Sequence, residues 1–167
     1  SRTLDKRNFK LSERAEVTAV IRNIGSQHAS DLVYEDDYPQ YFVRDGPIKV
    51  VSGERSSVYS GPQVEGKIKW NGQVPSGQEI TLTYTLQLVS SPPTPQITFQ
   101  PATLTSRSTD ETMNTTELEV KFVSPLQIVF TMPDTFAVGK LSEMNIILKN
   151  TLPDISLIFA FCPFSSN

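Results

Sequence analysis

Residues 79–88 read EITLTYTLQL. Ile80, Leu82, Tyr84, Leu86 and Leu88 are apolar, and Glu79, Thr81, Thr83, Thr85 and Gln87 between them are polar. Successive side chains of a strand point to opposite faces, so the stretch predicts one buried and one wet face, as in an antiparallel sheet. On a helix the same apolar residues would be scattered around the barrel. The Thr and Tyr content favours strand as well. Just upstream, Gly72 marks one turn and Pro75-Ser76-Gly77 another, in which Pro presets φ and Gly takes the left-handed position.

Other segments follow the same period less cleanly. Val17, Ala19 and Ile21 share a face, and so do Leu32 and Tyr34, with Val33 opposite. Ile68 and Trp70 point inward, Trp70 as a plug between sheets, and Leu118, Val120 and Phe122 alternate to a break at Pro125. A new strand can start at Leu126. PQITFQPATLTSRS is interrupted at Pro101, which predicts an edge strand or a bulge. SSPPTP at 90–95 reads as a stiff hairpin connection, and SRSTDETMNTTE as an exposed loop. LSERAEV offers one helical turn, and no segment forms a convincing amphipathic helix. Seven to nine strands spaced by turns predict an all-β chain, an immunoglobulin-like antiparallel β-sandwich.

A weak internal repeat relates residues 8–39 to 135–164: Phe, a polar turn, a strand ending in Arg-Asn or Lys-Asn, a break, a second strand. The expected division is a sandwich over 1–124. Residues 125–167 then either open a second repeat or pack as C-terminal strands on the first. In the former case Leu157, Ile158, Phe159 and Phe161 would form an exposed patch that recruits another chain.

Net charge is −3 with both signs interspersed, and the absence of a basic block argues against nucleic acid as a partner. Cys162, the lone cysteine, cannot close a disulfide within the chain and reads as a core or edge hydrophobe. No apolar run approaches the ~20 residues of a membrane-spanning helix. The nucleotide-binding, nucleophile-elbow and paired-cysteine motifs are missing, so no cofactor is expected and the chain reads as a non-enzyme.

Stretch 17–39, VTAVIRNIGSQHASDLVYEDDYP, resembles the opening of the immunoglobulin-like conserved-repeat domains (CARDB-like) of prokaryotic surface proteins. The residues that carry the likeness are Asn23, Gly25, Ala29, Asp36 or Asp37, and Pro39, then Trp70, Gly72, Pro75, Gly77 and Thr81 to Thr85. The same stretches are similar to the lumenal domain of the translocon-associated protein β subunit. Both resemblances imply a β-sandwich outside the cytosol: extracellular, at a cell surface or in the secretory lumen. They imply a spacer or docking module whose partner is another protein or a neighbouring repeat domain. Physical reasons accompany the shared residues: Gly25 is expected at positive φ after its strand, and the Asn23 side chain is expected to bond its own turn.

Several clusters are candidates for sites. Asp31, Glu35, Asp36 and Asp37 supply the hard oxygens calcium wants, and their bland reading is a solvated strand end. Tyr38, Tyr41 and Phe42, in DYPQYF, are a candidate contact patch, and with Trp70 and Tyr59 a possible sugar platform. Asn114-Thr115-Thr116 is an N-glycosylation sequon. His28, the single histidine, reads as an exposed loop residue. Beside the spacer reading stand two alternatives: a calcium- or glycan-binding module, and an accessory domain of a larger surface protein or enzyme.

Overall fold

A computed structural model describes residues 1–124, 126–131 and 145–150. The chain divides into two compact units, Ser1–Val123 and Ser124–Asn167. The second contributes one described antiparallel hairpin, β14 (Leu126–Thr131) with β15 (Asn145–Asn150), in which Leu126 lies opposite Asn150. Cys162 and the apolar residues 155–164 lie outside the described residues.

The first unit is an all-β, immunoglobulin-like sandwich. Its strands are β1 (Arg2–Leu4), β2 (Asn8–Phe9), β3 (Arg14–Arg22), β4 (Ala29–Asp37), β5 (Phe42–Arg44), β6 (Lys49–Ser52) and β7 (Arg55–Val58). They continue with β8 (Lys67–Val74), β9 (Glu79–Leu88), β10 (Gln96–Phe99), β11 (Thr103–Ser106), β12 (Glu111–Asn114) and β13 (Leu118–Phe122). There are more elements than the seven to nine expected, because β1, β2, β5, β7 and β12 are too short to show a period. No helix long and apolar enough to cross a membrane occurs among the described residues.

One sheet has the order β1-β3-β9-β6-β7, with β5 also paired to β9. Opposite it lie β12-β11-β4-β8 and β10-β13-β2. The centre of the first sheet is the nine-residue ladder of β3 against β9, from Arg14 opposite Gln87 to Arg22 opposite Glu79. All five apolar residues of β9 are buried in one core with Val17, Ala19, Ile21, Leu32, Tyr34, Ile68 and Trp70. The parity of the sequence therefore sets which face is inside. Most neighbours are antiparallel, but β2 runs parallel to β13, with Phe9 opposite Phe122.

Some connections differ from expectation. Residues 90–95 do not close a hairpin, since β9 and β10 lie in different sheets, and the prolines stiffen a crossover. At Pro101 the chain likewise leaves one sheet after Phe99 and enters another at Thr103. SRSTDETMNTTE is not all loop: β12 folds back on β11 with Thr103 opposite Asn114. In the Pro75 turn, Gln78 N–H donates to the Pro75 carbonyl at 3.1 Å and Gly77 has φ +70°, as the turn type requires. Gly25 is not at positive φ. A Cβ there would sit 3.2 Å from Asn23 Oδ1, so closeness, not handedness, favours glycine. Asn23 does bond its own turn: Oδ1 accepts from Gly25 N–H at 2.9 Å, while Nδ2 donates to the carbonyls of Gln27 and Val74.

Candidate functional site

Strand β4 separates the acidic residues by parity. Leu32, Tyr34 and Asp36 point into the sandwich, and Glu35 and Asp37 point out. Asp36 is 3% exposed, which is costly for a carboxylate unless it is paired and hydrogen-bonded. Its Oδ1 accepts from the guanidinium of Arg2 on β1, in the opposite sheet. Its Oδ2 accepts from the hydroxyls of Tyr34 at 3.2 Å and Tyr84 of β9. Arg2 has a fully buried side chain. Its Nη2 also donates to the carbonyls of Gln100 at 2.7 Å, Thr116 at 3.2 Å and Phe99 at 3.4 Å. The Arg2 Nε has no partner among the described residues. Both sheets and the β10–β11 corner are thus tied through one guanidinium.

Burial pushes the Asp36 carboxyl above its usual range, against the pull of Arg2 and the two phenols. Burial also raises both tyrosines, with Asp36 adding to the effect, so they remain neutral donors. The bonds of Arg2, Tyr34 and Tyr84 to one carboxylate join the two layers, so the arrangement acts as a clamp.

The other carboxylates do not join Asp36. Glu35 and Asp37 lie on the outer face, where Glu35 Oε1 meets Lys69 Nζ at 2.9 Å and Lys67 Nζ reaches both Glu35 and Asp37 within 3.5 Å. The hydrogen bond from Lys69 lowers the Glu35 carboxyl. Burial pulls Lys67 down, but Asp37 and Glu35 outweigh it and raise the ammonium. Asp31 is exposed at a β-bulge, with φ +54°, a conformation Asp tolerates. Among the described residues no group of three His, Cys, Asp or Glu side chains could hold a metal ion. Strand parity is the reason the run EDD does not converge.

The aromatic candidates divide as well. Phe42 is core, edge-on to Phe9 at 5.2 Å and tilted against Phe99 at 5.1 Å, so it is no contact residue. Trp70 is buried too, which removes it from a sugar platform. Tyr38, Tyr41 and Tyr59 are half-buried against the core. The Tyr38 hydroxyl accepts from Gly66 N–H at 3.0 Å, just before β8, and that of Tyr59 accepts from Asn71 N–H at 3.2 Å, on the open edge of β8. His28 is exposed, with Nε2 3.1 Å from Gln73 Oε1. Asn114 ends β12 and is exposed.

Fold and interior together define an immunoglobulin-like β-sandwich domain braced by an inter-sheet ion pair. No protein-family model and no curated protein matches the chain. Among solved structures, domains D2 and D3 of the major pilin SpaD from Corynebacterium diphtheriae are similar. The TM-score is 0.53 at 16% identity, over 83% of this chain and 57% of the pilin chain. The full-length SpaD pilin aligns at TM-score 0.48 and 16% identity, over 73% of this chain and 32% of that one. At such identity the likeness is one of fold. The chain spans little more than half the length of the first pilin structure it matches.

Proposed function

We propose that the protein is a non-enzymatic, extracytoplasmic structural module that carries tension along a surface protein and spaces what it connects. The carrying observation is the parallel pairing of β2 with β13. Lys121 N–H donates to the Arg7 carbonyl and Val123 N–H to the Phe9 carbonyl, each at 2.7 Å. In a parallel pair, the point where the chain enters one strand and the point where it leaves the other lie at opposite ends. Tension between residue 8 and residue 123 therefore loads these bonds together, in shear. Upstream, β1 is moored by Arg2 to the far sheet. The resemblance of residues 17–39 to surface-protein repeat domains supports this reading, as does the fold shared with pilin domains. Partner proteins or neighbouring repeats would dock at end loops or at the exposed edges β7 and β12.

Single-molecule pulling of the full chain tests this. Handles at Ser1 and Ser124 should need clearly more force than handles at Thr103 and Asn114, which unzip the β11–β12 hairpin one bond at a time. Equal forces in the two directions would overturn the reading.

A further inference from the structure

Along the free edge of the β12-β11-β4-β8 sheet all four residues of β12 are exposed, and Met113 is 60% exposed. Beside it runs a groove of about 480 Å³ between the two layers, lined by Val20, Ile21, Tyr34, Leu104, Met113 and Asn114. A bare edge strand beside an apolar groove invites strand addition, and proteins cover such edges. The sequon Asn114-Thr115-Thr116 sits at this lip. Its middle residue is turned inward: Thr115 Oγ1 accepts from Ala102 N–H at 2.9 Å, and Thr115 N–H donates to the Ala102 carbonyl at 2.9 Å. Alternation then leaves Asn114 and Thr116 both exposed. The Asn114 carboxamide has no hydrogen-bond partner among the described residues. By contrast, Asn23 uses its amide in three bonds.

We propose that Asn114, which shares the outward row with Thr103 and Glu35, carries an N-linked oligosaccharide whose first sugars fold from that face over the β12 edge toward this groove. The inference rests on the extracytoplasmic reading above. In the transfer, Asn114 Nδ2 bonds to the anomeric carbon of a lipid-pyrophosphate-linked oligosaccharide. The anomeric C–O bond breaks, the lipid pyrophosphate leaves, and the amide gives up a proton. A sugar presents apolar C–H faces to Leu104 and Met113 and hydroxyls to water. The groove has the size of a small-ligand site.

The test is secretion of the full chain from a host that N-glycosylates. Intact mass is measured before and after enzymatic removal of the glycan, alongside Thr116→Ala and Asn114→Gln. The expected result is a glycan-sized mass on the wild-type chain that both substitutions abolish. The glycan should also slow peroxide oxidation of Met113 and amide exchange at 111–114 several-fold. A folded, secreted chain of unmodified mass overturns the site. A modified chain with unchanged Met113 oxidation and edge exchange overturns the covering role. Either failure is read by mass and exchange. Failure of the structural reading is read by force, so the two are separable.

Discussion

Replacing Arg2 with Met isolates the clamp. The thioether chain fills much of the volume of the arginine stem, so packing changes little. What is lost is the cation facing Asp36 and the donors to three carbonyls. Gln100 and Thr116 are exposed, so water can replace two of those bonds, and the Phe99 contact is already long at 3.4 Å. The dominant cost is the uncompensated carboxylate. Removing one partner of a buried pair costs about 3–5 kcal/mol, a large part of the ~5–15 kcal/mol that stabilises a domain.

The penalty should depend on pH with a definite sign. Burial already raises Asp36, and the attraction of Arg2 opposes that rise. Without Arg2 the folded-state value moves further above the unfolded value of about 3.9. A group raised in the folded state contributes stability that is complete below its unfolded value and lost as pH rises through the folded one. Arg2→Met should therefore be nearly as stable as wild type at about pH 4 and fall behind progressively toward neutrality. Trp70 is the lone, buried tryptophan of the sandwich, so its fluorescence in urea reports unfolding at each pH. A second variant, Arg2→Met with Asp36→Leu, should recover most of the loss, because an apolar pair can replace a buried ion pair. A deficit under ~1 kcal/mol at pH 7, or one that does not shrink on acidification, would refute the role assigned to the pair.

Further expectations concern packing and ligands. Gly72→Ala would place a Cβ against Cζ2 of the Trp70 indole, closer than any side chain tolerates, so the indole must move, and a loss of about 1–3 kcal/mol should appear in urea melts. Phe42→Ala should cost about 3–5 kcal/mol by the same assay, while its exposed neighbour Val43→Ala should cost under ~0.5 kcal/mol. The reverse order would restore Phe42 to the surface patch. Calcium at millimolar concentration should leave the melting temperature within about 1 °C, whereas a larger upward shift would mean that the acidic run does gather around an ion.

The core was legible wherever a strand reached about five residues, since a period of two needs several repeats to stand out. β9 shows this most plainly, and β3, β8 and β13 follow. β1, β2 and β7 escaped because two to four residues carry no period, and their pairing is set by distant neighbours. The sheet changes at 90–95 and at Pro101 were also hidden. Proline reports that a ladder is interrupted, but not which sheet receives the next strand.

Asp36 is the instructive case. Within YEDDYP it looks like one of several surface acids, and a metal site is the natural guess. Yet it shares parity with Leu32 and Tyr34, one of the two faces that the pattern offers to the core, the other being that of Val33. With that face inside, as the structure has it, the parity argument taken two residues further places a carboxylate in the core, and a buried carboxylate requires a partner. That partner is Arg2, thirty-four residues earlier, on a strand too short to detect. Its own signal was faint: an arginine that lands on the inward row of the sheet, opposite Ala19 and two positions from Leu4 opposite Val17. Charge on an inward parity position, and not charge density along the chain, is therefore what marks the clamp in a sequence of this kind. The outward acids Glu35 and Asp37, which made the run conspicuous, are the ones that Lys67 and Lys69 merely balance in water.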